Sequence, residues 1–100
     1  MYAKQQQQLQ ELKDALQIMG ENPLTHALVK AVKKFHAEYK LLHYPNISIC
    51  RKEMVLMEAV TEVACYPEKV FSGTDRVEWY RNEIYYCAED LLNAMKFYNM

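Results

Sequence analysis

Five carboxylates in the second half of the chain are spaced so that they could hold a divalent metal ion. Glu58 and Glu62 lie one helical turn apart, and Glu83, Glu89 or Asp90 could join them from a later helix. Carboxylate oxygens are the ligands that Mg²⁺ prefers in proteins. The helical wheel, however, places Glu58 and Glu62 opposite the apolar side of their helix, where we expect them to face water.

The order of these acids resembles that in all-α nucleotide pyrophosphatases of the MazG type, which use acids on two helices. The resemblance implies Mg²⁺-dependent hydrolysis of nucleotides, with Glu58 and Glu62 among the ligands. The sequence departs from the family's Glu-x-x-Glu spacing, because Glu58 and Glu62 are four residues apart. A metal-dependent pyrophosphatase-like enzyme is therefore kept as an alternative, whereas our main interpretation includes no metal and no cofactor.

The remaining chemistry-bearing residues do not form a recognisable catalytic motif. Cys50 follows His43 by seven residues, but nothing in the sequence indicates the cleft that a cysteine nucleophile needs. Gly20 and Gly73 are the only glycines, which excludes a glycine-rich phosphate-binding loop. The three cysteines lack the two-residue spacing of zinc or redox motifs, so we expect reduced thiols. We expect the protein not to be an enzyme.

Charge is distributed unevenly along the chain, although its net value is −1. Residues 22–52 contain six basic side chains and one acid, whereas residues 53–90 contain nine acids and three basic side chains. Four lysines fall within about 120° of one another on the predicted second helix: Lys30, Lys33, Lys34 and Lys40. Such a face could bind nucleic acid phosphates, could simply be solvated, or could meet the acidic part of another copy.

Composition indicates one small domain without a membrane segment. The chain has 100 residues, of which 51% are hydrophobic and 25% charged, so a continuous core is feasible. No apolar run approaches the roughly 18–20 residues that span a bilayer. The start of the chain, Met-Tyr-Ala-Lys followed by four Gln, lacks the apolar stretch of a signal peptide. We therefore expect a cytoplasmic protein.

Helical periodicity and sparse Gly and Pro predict an all-α fold. Apolar residues recur at spacings of three and four, and the breaks between these segments coincide with the two glycines and three prolines. Predicted helix signals include Gly20 as a C-terminal residue with positive φ, Asn22 and Ser48 as N-caps, and Asp75 with Glu78 as a capping box. The predicted helices cover about residues 3–19, 23–43, 49–65 and 75–98. Short connections favour a four-helix antiparallel, up-and-down bundle, with a dimer as an open alternative.

The last predicted helix has two faces that could pack. One face carries a regular apolar stripe, which predicts contact with the core. Trp79, Tyr86 and Phe97 lie about 140–160° away from that stripe, and they share their face with Glu83 and Asp90. An aromatic outer face is unusual for a monomer, although a loop over residues 66–74 could cover Trp79. We therefore predict a partner-binding surface formed by these five residues.

These observations favour a non-enzymatic protein–protein interaction module. The partner would be another protein or a second copy of the chain, with Glu83 and Asp90 at the polar rim of the contact. A small accessory or inhibitor protein of a phage or mobile element would fit this description. The first alternative is a nucleic-acid-binding protein that uses the four lysines, and the second is the pyrophosphatase-like enzyme.

Overall fold

The computed structural model describes residues 2–20, 23–42, 46–72 and 76–98, and no strand occurs in these ranges. The elements are α1 (Ala3–Met19), α2 (Thr25–Glu38), α3 (Ile47–Cys65), α4 (Pro67–Phe71) and α5 (Val77–Tyr98). The all-α prediction is confirmed, and α1 has the predicted bounds. None of the described helices has both the length and the apolar character that crossing a bilayer requires.

The core is formed by one apolar stripe from each of the four long helices. In the ring that they form, α1 packs against α2 and α5, while α3 also packs against α2 and α5. Removing these stripes from water is the main force that holds the helices together. Their fully buried members are Leu9 and Leu16 in α1, Leu28 and Val32 in α2, Ile49, Leu56, Val60 and Val63 in α3, and Ile84, Ala88, Leu91, Leu92 and Met95 in α5.

Polar contacts show how α5 is positioned against α1. Arg81, early in α5, donates from Nε to the carbonyl oxygen of Leu16 near the end of α1 at 2.9 Å. Lys13, about one turn earlier in α1, lies 3.5 Å from Glu89, about two turns later in α5. Later residues of α5 contact earlier residues of α1, so these neighbouring helices are antiparallel. The face of α5 opposite its core stripe is directed away from the bundle.

Helix α2 is shorter than the predicted 23–43. Leu24 is extended before its first residue, with φ −75° and ψ 136°, and Tyr39 is extended after its last, with φ −76° and ψ 128°. The backbone N–H of Leu42 donates to the carboxylate of Glu53 in α3 at 3.2 Å instead of continuing the helix. The contact with α3 therefore holds the chain after α2 in a non-helical path. The proposed cap, Asn22, lies outside the described residues.

The start of α3 also differs from the prediction. Asn46, and not Ser48, is the N-cap, and its Oδ1 accepts a hydrogen bond from the Ile49 N–H at 2.9 Å. This contact satisfies one of the backbone donors that a helix start leaves without a partner. Helix α3 consequently begins at Ile47 and not at residue 49. The predicted cap of α5, Asp75, lies outside the described residues, and the described helix begins at Val77.

The segment between α3 and α5 contains the short helix α4, which the sequence analysis treated as a loop. Pro67 occupies its first turn, where the missing N–H of proline has no cost. Val70 and Phe71 are partly buried against the core. The ring of Phe71 packs edge-on against Tyr80 at 5.7 Å between centroids. This segment leaves Trp79 51% exposed.

Candidate partner-binding surface

The outer face of α5 carries three aromatic side chains that its own fold leaves in contact with water. Trp79 is 51% exposed, and Tyr86 and Phe97 are each 63% exposed. Ile84 and Leu91, on the opposite face of the same helix, are fully buried. The prediction that the three aromatics lie outside the core is confirmed, while their role in binding stays a prediction.

These aromatics belong to a longer row with regular spacing, which we call the outer strip. Its members follow one another at alternating intervals of four and three residues: Trp79, Glu83, Tyr86, Asp90, Asn93 and Phe97. Such spacing is that of the contact positions in helices that pack side by side. Glu83 is half-buried, and the other five are exposed. The sequence analysis missed Asn93, which this spacing could have revealed.

An apolar ridge on α3 continues this surface, and the sequence analysis did not predict it. Met54 is 65% exposed and Val55 is 53% exposed. Together with Leu41 and Met57 they line a shallow depression on the outside of α3. A second depression, lined by Val55, joins the ridge to Trp79 in the outer strip. The exposed apolar surface therefore extends over two neighbouring helices.

Two polar contacts hold α3 and α5 in this arrangement. Lys52 Nζ lies 2.8 Å from Asp90 Oδ2, and the hydroxyl of Tyr80 donates to Glu62 Oε2 at 2.6 Å. The beginning of α3 thus contacts the end of α5, and the end of α3 contacts the beginning of α5, so the two helices are antiparallel. Burial, followed by the hydrogen bond to Glu62, raises the pKa of the Tyr80 hydroxyl above its ordinary value. The outer strip is supported by a fixed helix pair.

One cation covers part of the aromatic surface at the beginning of α5. The guanidinium of Arg76 lies 5.0 Å from the Trp79 ring centroid and 5.1 Å from that of Tyr80. The Trp79 ring also packs edge-on against Tyr80 at 4.8 Å. These contacts restrict the indole in the free protein, which lowers the entropic cost of using it in a contact.

The thiol nearest the outer strip is unsuited to nucleophilic chemistry. Burial raises the pKa of the Cys87 thiol, and the neighbouring carboxylates of Glu83 and Asp90 raise it further. The thiol donates to Glu83 Oε1 at 3.8 Å. Cys50, Cys65 and Cys87 are all free, as expected. His43, which the sequence analysis paired with Cys50, lies outside the described residues.

Two of the carboxylates considered as magnesium ligands differ in burial and in hydrogen bonding. Glu58 is exposed, whereas Glu62 is half-buried and not simply solvated, because it accepts the hydrogen bond from Tyr80. In the part of the chain that the structure describes, no three His, Cys, Asp or Glu side chains are grouped as metal ligands. The geometry therefore adds no support to the pyrophosphatase-like alternative.

The four predicted lysines are exposed, but they do not share one helix. Lys30, Lys33 and Lys34 lie on α2, where three cations within two turns form a compact basic face. Lys40 lies beyond the end of α2 at Glu38, so its predicted position on that helix is wrong. The physical reason is the extended segment after α2, which Glu53 holds.

The sequence also did not lead us to predict a buried carboxylate, Glu53, and the hydrogen bonds that it accepts. Glu53 is only 4% exposed, and its Oε2 accepts from the hydroxyl of Tyr39 at 2.6 Å and from the Leu42 N–H. Glu53 precedes Leu56 by three residues and so occupies a core position of α3. A carboxylate at a core position was the available signal, because a buried charge requires donors. Its role here is to hold the segment after α2.

Comparisons with known proteins provide no further assignment: no protein family, no curated protein and no solved structure matches this chain.

Proposed function

We propose that this protein is a non-enzymatic protein–protein interaction module that binds its partner through the outer strip of α5. The observation that carries the proposal is the exposure of Trp79, Tyr86 and Phe97, all more than half accessible, along one line of a helix whose opposite face forms the core. Exposed aromatics in a row cost free energy in water, and a contact would recover it.

The composition of the strip is that of an interface centre with a polar rim. Trp and Tyr are the residues most enriched at positions where truncation costs about 2 kcal/mol or more of binding free energy. Glu83 and Asp90 alternate with them, so a partner is selected by donors or cations opposite these carboxylates. The apolar ridge at Met54 and Val55 enlarges the area available to a partner.

We also propose a biological setting for this module. A single small helical domain with three free thiols fits an accessory or inhibitor protein that works in the cytoplasm by occupying a partner surface. Phage and mobile elements encode many proteins of this kind, and we place this chain among them as part of the same proposal.

The proposal is tested by comparing what three forms of the protein retain from an extract of the cells that encode it. The forms are the wild type, the double variant Trp79→Ser/Tyr86→Ser, and the control Leu24→Ser, which changes a 63% exposed side chain before α2. Quantitative mass spectrometry should show a protein, or the untagged chain itself, that the wild type and the control retain and the double variant loses. Identical profiles for all three forms, with unchanged helicity, would refute the proposal.

A nucleic-acid-binding function is the second candidate, and one observation favours it. Lys30, Lys33 and Lys34 are exposed, and none of them forms a salt bridge within the described residues. Phosphate binding by this face would weaken steeply with added salt. It should be abolished in Lys33→Glu/Lys34→Glu and kept in Lys4→Glu/Lys69→Glu, which has the same net charge. Equal binding by both variants, or none by the wild type, would eliminate this candidate.

A further inference from the structure

We propose that the partner of the outer strip is a second copy of this chain, packed antiparallel so that α5 of each subunit lies along α5 of the other. This inference rests on the proposed function and specifies its partner. In the register we assign, two residues face each other across the contact when their numbers add to 176. The interface is then two-fold symmetric, so the same strip serves both subunits and the assembly closes as a dimer.

The strip is self-complementary in this register. Trp79 faces Phe97 of the partner subunit, Glu83 faces Asn93 of the partner subunit, and Tyr86 faces Asp90 of the partner subunit. Each pair recurs once by symmetry, so all six strip positions of both subunits are used. Aromatic rings meet rings at the two ends, and each carboxylate meets a side chain that can donate a hydrogen bond.

The central pair repeats a contact that the fold already uses twice. Tyr39 donates to Glu53 and Tyr80 donates to Glu62, each at 2.6 Å. Asp90 retains Oδ1 for such a bond, because its contact with Lys52 involves Oδ2. A carboxylate accepts several hydrogen bonds at once, so the intrachain ion pair and the contact between subunits are compatible.

Charge distinguishes this arrangement from the other ways of packing two copies. A parallel, in-register pair would place Glu83 opposite Glu83 and Asp90 opposite Asp90, and like charges that lose water repel strongly. Docking the lysines of α2 onto the strip would be a heterologous contact, which builds rings or open chains and not a closed two-fold dimer. Only the antiparallel register pairs every carboxylate with a donor and every indole or phenyl ring with another ring.

The available area is sufficient for a dimer of modest affinity. Fully burying an aromatic side chain removes roughly 150–250 Å² from water, so the exposed parts of three aromatics in two subunits contribute roughly 700 Å². The polar strip positions and the apolar ridge on α3 bring the total to about 1,200 Å², the lower limit of specific interfaces. Interfaces near this lower limit are typical of weak association, and we expect a dimer with a Kd of roughly 1–100 μM.

Tryptophan fluorescence tests the register directly, because Trp79 is the only tryptophan. Within one chain Phe97 lies about 27 Å from Trp79 along α5, too far to affect its emission. In the dimer the two rings are in contact, so Phe97→Ala should shift the emission of Trp79 to longer wavelength. Tyr98→Ala is the matched control, since it removes a neighbouring 50% exposed ring that lies off the strip. An unchanged emission in Phe97→Ala at concentrations where the wild type is dimeric would overturn the register.

Charge exchange at the Glu83–Asn93 pair provides an independent test by sedimentation equilibrium. Asn93→Glu should raise the dimer Kd about threefold to thirtyfold, because two carboxylate pairs then repel, and Asn93→Lys should lower it. Glu83→Lys/Asn93→Glu should restore dimerisation by placing opposite charges face to face. A parallel dimer would not be rescued, since it would pair like charges at both positions. Gln17→Glu and Gln17→Lys, on the exposed surface of α1, control for net charge.

The outcomes separate this inference from the function on which it rests. A monomer at all concentrations, with strip-dependent capture of a different protein, overturns the homodimer and leaves the interaction module intact. A monomer with no strip-dependent capture refutes both. The antiparallel register is overturned if the protein forms a dimer whose Kd does not change with the charge at position 93 and if Glu83→Lys/Asn93→Glu does not restore dimerisation.

Discussion

Replacing Tyr39 with Phe removes a single oxygen atom from the contact that holds the segment between α2 and α3. The Tyr39 hydroxyl donates to Glu53 at 2.6 Å, and the two side chains are 7% and 4% exposed. The Tyr39 ring stacks on Phe35 with 4.8 Å between centroids, and a Phe ring keeps this packing. The substitution therefore isolates the hydrogen bond.

The size of the effect follows from the charge and burial of the acceptor. A hydrogen bond to an ionised group contributes about 1.5–3 kcal/mol, and a buried acceptor that loses it cannot be rehydrated easily. The Leu42 N–H, at 3.2 Å, still donates to the same carboxylate, which limits the loss. We expect the free energy of unfolding to fall by about 2 kcal/mol. In a domain of this size that lowers Tm by roughly 8–16 °C.

Urea and thermal unfolding followed by far-UV circular dichroism measure this loss. Tyr66→Phe is the matched control, because it deletes the hydroxyl of a 60% exposed tyrosine and should change stability by less than about 0.5 kcal/mol. If Tyr39→Phe is as stable as this control, the contact with Glu53 does not hold the segment after α2.

The stability difference between the wild type and Tyr39→Phe should also depend on pH in the alkaline range. Burial, followed by the hydrogen bond to Glu53 and its charge, raises the pKa of Tyr39 far above its ordinary value of 10.0. The hydroxyl therefore stays protonated in the folded protein while it ionises in the unfolded chain. Its contribution is complete below pH 10 and declines as the pH rises towards the folded-state pKa. The stability difference between wild type and Tyr39→Phe should narrow above pH 10, and a constant difference would contradict the assignment.

Two local features carry further predictions. Asn46→Ala removes the cap whose Oδ1 lies 2.9 Å from the Ile49 nitrogen, and it should reduce the free energy of unfolding by about 1 kcal/mol, whereas Asn46→Asp should keep it. Equal urea midpoints for both variants would argue against the cap. Gly20 has φ 71° and ψ −157°, a region that L residues rarely adopt, so Gly20→Ala should cost about 1–3 kcal/mol although the space for a Cβ is empty. A synthetic chain with D-Ala at position 20 should not lose this stability, and an equal loss in both would indicate steric and not conformational strain.

The sequence alone was sufficient to predict that four long helices form, although not all of their bounds, and to predict the two faces of α5. Helical periodicity and the rarity of Gly and Pro are local properties, and they predicted the bounds of α1 and the buried stripe with Ile84 and Leu91. The exposed aromatics could be predicted for the same reason, since a helix has one geometry and a side chain on the far side of the core stripe faces outward. Spacing alone also places Asn93 in the strip.

Only the tertiary structure decided where α2 ends and which part of α3 stays exposed. The stripe that continues through Leu42 predicts a longer helix, but a carboxylate from α3, outside the reach of any local pattern, captures the Leu42 N–H instead. Helix α3 has apolar side chains beyond its core stripe, among them Met54 and Val55, so its sequence separates core from surface less sharply than that of α5. Met54 and Val55 stay exposed because no described helix covers that side of α3. A helix's periodicity determines which residues share a face, whereas the neighbours that pack against it determine which faces are buried.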